Sequence, residues 1–174
     1  RYQAGGHKLA LAILTVRGIP TIIVAIPLLI MFGWLGLRDT HIGLILAYVA
    51  FTVPFAFWML KSFIDDVPHE IEEAAMMDGM SRWQAHFRVT LPLIKGGVVA
   101  TALFIFILNW SEFLLAVVLT EKTVVTMPIN MFLYSGVFGI QAALATVAAL
   151  PIVVVGLLIH KHLARGFTLG AVKR

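Results

Sequence analysis

Long apolar stretches separated by short polar turns make up most of this chain, and one polar island interrupts them. Residues 18–37 are uncharged ahead of Arg38, about 30 Å as a helix and enough to cross the hydrocarbon of a bilayer. Residues 9–16 are apolar as well, so the helix is expected to begin near residue 9, with Arg17 inside a tilted helix or at its edge. Pro20 and Pro27 lie seven apart on nearly one face and predict a kinked span, since neighbouring membrane helices can satisfy the carbonyls that proline frees. A polar turn at 36–41 precedes a second uncharged run, 42–60, with Pro54 past its middle and Trp58 near its end, where interfacial aromatic residues collect. Only Glu112 interrupts a third run, 96–120. Residues 123–159 carry no charge, but as one helix they would reach roughly 55 Å, too long for one bilayer. Pro128, Ser135, Gly136 and Gly139 are the available breakers, so 126–138 is expected to be a loop or interfacial helix and 141–159 a fourth span, bent at Pro151. The pattern predicts an all-α, polytopic transmembrane helical bundle, a single domain over 1–174 with spans at about 9–37, 42–61, 95–120 and 140–160.

The island is residues 67–92. It holds Glu70, Glu72, Glu73 and Asp78, with Asp65 and Asp66 just before it. Charge this dense is costly in lipid, so the segment belongs in water. Pro68 suits the first turn of a helix, and Glu70, Glu72 and Glu73 fall in early turns where the helix dipole favours negative charge. Gly79 is a natural stop. Ser81 and Gln84 have capping-box spacing and start a second helix, expected to end near Leu91 because Pro92 disfavours helical geometry in the residue before it. On the first helix Ile71, Ala74, Ala75 and Asp78 share a face, with Met76, Met77 and Met80 as adaptable apolar contacts. On the second, Trp83, Phe87 and Leu91 recur every fourth residue. Such faces suit either a groove on another protein or packing beneath the chain's own membrane helices.

Composition agrees with the pattern: 60% of residues are hydrophobic, 13% are charged, and the mean hydropathy is +0.96. A pI near 9.7 would point to nucleic acid in a soluble protein, but topology accounts for the cations. Arg1 and Lys8, then Lys61, Arg82, Arg88 and Lys95, then Lys161, Arg165, Lys173 and Arg174 make ten of the thirteen Lys and Arg. The opposite turns hold only Arg38 and Lys122. Four spans with this bias place the island, 65–93 with its flanks, and both ends in the cytoplasm. No nucleic-acid partner is expected, membrane lipid is. With no cysteine, disulfides, thiolate catalysis and cysteine-bound metals are excluded.

Glu73-Ala74-Ala75, then Asp78-Gly79, then Leu91-Pro92 resembles the EAA loop of the membrane subunits of ABC importers. The runs 37–40, 43–48, 54–58 and 104–113, Pro68 ahead of the glutamates, and the tail from Arg165-Gly166 to Lys173 are similar to the carbohydrate-importer permeases related to the second membrane subunit of the maltose importer. The resemblance implies a type I importer permease fold in a bacterial or archaeal cytoplasmic membrane. It also implies four kinds of partner: cytoplasmic ABC ATPase subunits, a second permease subunit, an extracytoplasmic solute-binding protein and a sugar substrate. Glu73 would be the charged contact to the ATPase, Ala74 and Ala75 would permit close approach, and Gly79 would turn the chain. Such permeases usually have six spans, so two N-terminal spans are expected to be missing here, in keeping with the absent initiator methionine. No phosphate-loop motif occurs, so ATP hydrolysis is expected on a partner and the chain is expected to be no enzyme and to need no cofactor.

Glu112 is the one carboxylate inside an apolar run, and such a group is a functional candidate by default. With Asn109, Trp110 and Ser111 it could hydrogen-bond and stack on a sugar, or it could fix helix packing. The family pattern at this point resembles W-N-E-F, and this chain departs from it with Ser111. The alternative function is an ion-coupled secondary transporter subunit using Glu112, for which no internal repeat argues. His69, Glu70 and Glu73 lack the second histidine of H-E-x-x-H, so no metal is expected. His160 and His162 beside Lys161 read as interfacial.

Overall fold

The computed structural model describes residues 18–170, with side-chain surroundings given through residue 157. The expected start of the first span, the basic residues Arg1, Lys8 and Arg17, and Lys173 and Arg174 lie outside the described residues. Eight helical segments follow in order: α1 Thr21–Trp34, α2 His41–Asp65, α3 His69–Met77, α4 Arg82–Leu93, α5 Lys95–Trp110, α6 Leu114–Leu119, α7 Met127–Leu133 and α8 Phe138–Gly170. No strand occurs among the described residues. Among the described residues two helices are long and apolar enough to cross a membrane unaided, α2 and the Phe138–Leu157 part of α8. α4 and α5 meet at a 71° bend around the buried Ile94. α1 is apolar but only fourteen residues long, about 21 Å.

Two compact units emerge. The first comprises the described residues up to Phe55 together with Ile107–Ile152. Here α1 packs chiefly on α6, and Ala25, Phe32, Ala47, Leu115 and Leu119 form one buried cluster. Leu44, Ala116, Val124 and Ile129 form another, with Tyr48 against both. Alanines at 25, 47 and 116 let the helix backbones approach closely, which is how membrane helices gain dispersion contact when lipid supplies no hydrophobic drive.

The second unit comprises Ala56–Phe106 and the described residues from Val153. Gly97 lies directly beneath the Phe63 ring, and a Cβ at that position would overlap the ring's root. Gly97→Ala is therefore expected to destabilise by about 1–3 kcal/mol, the usual cost of overpacking. The effect should be less than additive with Phe63→Leu, which clears the space; thermal midpoints of the four chains in detergent check it.

The expected third span, 95–120, is broken. α5 stops at Trp110, residues 111–113 are non-helical and α6 restarts at Leu114. The second island helix also differs from expectation, running through Pro92 to Leu93 instead of ending near Leu91. Its middle, His86–Thr90, is a π-helical turn, and Leu91 N–H donates to His86 C=O. A π-helical turn shifts the register of the carbonyls ahead of a proline, which is how a helix can accommodate the ring and its missing N–H. The helix Met127–Leu133 occupies the predicted interfacial segment, and α8 carries Pro151 within it.

Candidate functional site

The polar island forms a two-armed loop. Pro68 stands immediately before α3, Glu70 and Glu72 lie in its first turn, and its end is closed by Asp78 and Gly79 N–H groups donating to Ala74 and Met76 C=O. Gly79 turns the chain at φ 90°, a left-handed conformation that glycine adopts without penalty. The capping box of the second arm is formed: Ser81 Oγ accepts from Gln84 N–H at 3.3 Å, and Gln84 Oε1 accepts from Ser81 N–H at 2.9 Å.

Glu73, Ala74, Asp78 and Gly79 are exposed, as are Leu91 and Pro92. Ala75 is buried at 7% exposure, so the Ala-Ala pair splits: Ala74 faces outward while Ala75 lets the arms close on each other. Met77 and Trp83 are 88% and 67% exposed, and Trp83 stacks on Phe87 with ring centroids 6.2 Å apart and planes 21° apart. This exposed aromatic pair is a surface of the kind that anchors protein interfaces. Glu72 turns the other way, toward Thr90 and His86, a contact the sequence reading missed. One signal was available, because Glu72 shares its helix face with Ala75.

In the first unit the polar cluster at the helix break has a defined job. Glu112 Oε1 accepts from Leu115 N–H at 2.9 Å and Oε2 from Ala116 N–H at 3.2 Å, so the carboxylate caps α6. The buried Tyr48 hydroxyl lies within interaction range of the same carboxylate. Trp110 Nε1 donates to Ala148 C=O at 3.0 Å, tying the end of α5 to α8. Ser111 Oγ donates to Ile107 C=O at 2.7 Å, and Asn109 is half-buried. Glu112→Ala removes the acceptor of two backbone donors where lipid offers no substitute, and is expected to destabilise by about 1–3 kcal/mol. Glu112→Gln, which keeps one acceptor oxygen, should lose less; chemical denaturation in detergent compares them.

A second missed residue is Asp39, at the α1–α2 turn with φ 55°. Its Oδ1 accepts from Glu121 and Val124 N–H at 2.9 and 3.1 Å, and its Oδ2 from Lys122 and Thr123 N–H at 3.1 and 2.9 Å. These bonds, that from Glu121 foremost and that from Thr123 next, hold its carboxyl well below the usual carboxylate range. Asp39 N–H in turn donates to Leu119 C=O at 2.9 Å, and Arg38 pairs with Glu121. His69, Glu70 and Glu73 are all exposed, and among the described residues no three His, Asp or Glu side chains converge as a metal site would require.

Residues 8–169 match the family described as the binding-protein-dependent transport system inner membrane component. The chain belongs to that family. It is thereby a multi-pass membrane protein. It is 37% identical over 97% of its length to a probable ABC transporter permease of Sinorhizobium fredii. It is 36% identical over 99% of its length to the trehalose transport system permease SugB of Mycobacterium tuberculosis, and 34% identical over 80% to the trehalose/maltose transport system permease MalG of Thermococcus litoralis. The chain spans between 52% and 66% of the length of these three relatives.

Proposed function

We propose that this chain forms the membrane-spanning part of a permease subunit in an ATP-driven sugar importer, coupled through residues 67–92 to a cytoplasmic ATPase. The observation that carries the coupling is the loop itself. Two braced arms present Glu73, Ala74 and the Trp83–Phe87 stack outward, the shape and chemistry a docking cleft would grip. Closure of two ATPase subunits would move the docked arms, and helices leaving the loop would convert that movement into alternating access. The positive-inside bias supports a cytoplasmic loop and cytoplasmic ends for residues 1–174. The names of the trehalose and trehalose/maltose relatives support a sugar as substrate, with a second permease subunit and an extracytoplasmic binding protein completing the complex.

Along the path, Asn109 and Ser111 are the side chains we assign to its wall, while Trp110 and Glu112 shape it through their backbone contacts. A carboxylate engaged in capping α6 favours this importer reading over ion coupling through Glu112. The test is to reconstitute the full-length protein with its ATPase, second permease and binding protein, and to measure labelled disaccharide uptake. Uptake should require ATP inside; uptake driven by a proton or sodium gradient without ATP would sink the proposal.

A further inference from the structure

One buried carboxylate joins the two arms of the loop. Glu72 projects from α3 with its side chain 12% exposed, and the fully buried Thr90 donates Oγ1–H to Glu72 Oε1 at 2.5 Å. His86 Nδ1 lies 3.9 Å from the same oxygen. His86 and Thr90 are four residues apart and bound the π-helical turn, so both reach α3 from one side of the second arm. Thr90 is also four residues before Ile94, whose N–H donates to Thr90 C=O at 3.1 Å at the 71° bend into α5. The contact therefore links the arm that carries the exposed Glu73 to the residue from which the next apolar helix departs. Without it, a displacement of α3 reaches α5 only through the apolar contact of the arms around Ala75 and through the Gly79 elbow, where glycine at φ 90° turns the chain.

We propose that Glu72 is a positioning residue: acting through Thr90, it braces the two arms into one lever, so that movement imposed on α3 arrives undiminished at the start of α5. This rests on the importer reading above. Glu72 itself touches neither substrate nor ATP, and its neighbour Glu73 faces outward, so the adjacent glutamates divide bracing from docking.

The experiment uses the complete complex in liposomes and, separately, the full-length chain in detergent. Three forms are compared with wild type: Thr90→Val, the double variant Glu72→Met/Thr90→Val, and Glu72→Gln. The double variant removes both partners together and so avoids stranding a buried carboxylate. Sugar taken up per ATP hydrolysed should fall about fivefold or more in Thr90→Val and in the double variant, the span of ordinary coupling energies, while the ATPase stays bound and active. Glu72→Gln, whose amide oxygen still accepts from Thr90, should remain within about twofold of wild type. In the chain alone, hydrogen exchange over 82–93 should quicken in both Thr90 variants. An unchanged uptake-to-ATP ratio in the double variant overturns the lever, and so does a parallel fall of uptake, hydrolysis and ATPase retention. Unchanged exchange overturns the brace whatever transport shows. Wild-type uptake that ignores ATP would instead overturn the importer reading, and a quickened exchange would then still assign Glu72 to holding the arms together.

Discussion

Glu73→Lys is expected to reduce ATP-dependent uptake by about a hundredfold in the reconstituted complex, because it would place a cation where the proposed docking surface offers an anion. Glu73 is exposed, while the neighbouring Glu72 is engaged with Thr90. Breaking one partner of a desolvated interfacial charge pair costs about 2–5 kcal/mol, and reversal adds repulsion to that loss. Because the side chain is outside the loop's core, the chain itself should keep its thermal midpoint within about a degree or two of wild type. Pull-down of the ATPase and uptake should therefore fall together while the fold survives. Retained uptake would overturn Glu73 as the proposed charged contact.

The second large effect is expected at Asp39. Asp39→Ala releases the four backbone N–H groups of 121–124 at once, and their hydrogen exchange should quicken by about tenfold or more. The same bonds give the site a pH signature. The folded carboxyl titrates below its ordinary value near 3.9, so its stabilising contribution is present above that ordinary value and is lost as pH falls toward the depressed folded value. The gap in thermal midpoint between wild type and Asp39→Asn should accordingly be widest near pH 6 and close as pH falls from about 4 toward 2. A gap that stays constant over that window would mean the charge contributes nothing. Salt should narrow it only partly, since the donors are backbone groups in direct contact with the carboxylate.

Features written in adjacent residues were legible from sequence, and features made by distant ones were not. Pro68, Gly79 and the Ser81–Gln84 pair announced the two-armed loop because caps and stops act over three or four residues. Glu72 and Glu73 looked alike as letters; which one turns inward depends on an arm eighteen residues further on. Asp39 read as a loop acid because its donors lie more than eighty residues away. The break in the third apolar run escaped because hydropathy ignores backbone satisfaction: Glu112 was read as an interruption of a helix, whereas its carboxylate starts the next one. The helix through Pro92 was misjudged because the proline rule assumes an ordinary α-helical ladder ahead of the ring.

The Asp39 contact also bears on how the chain is made. Its four donors are 82 to 85 residues downstream, so at roughly 5–20 residues per second the ribosome delivers them some 4–17 s after Asp39 itself. Through that interval the carboxylate has only water to solvate it. The turn between α1 and α2 therefore stays unlatched until residues 121–124 have been made and brought alongside it.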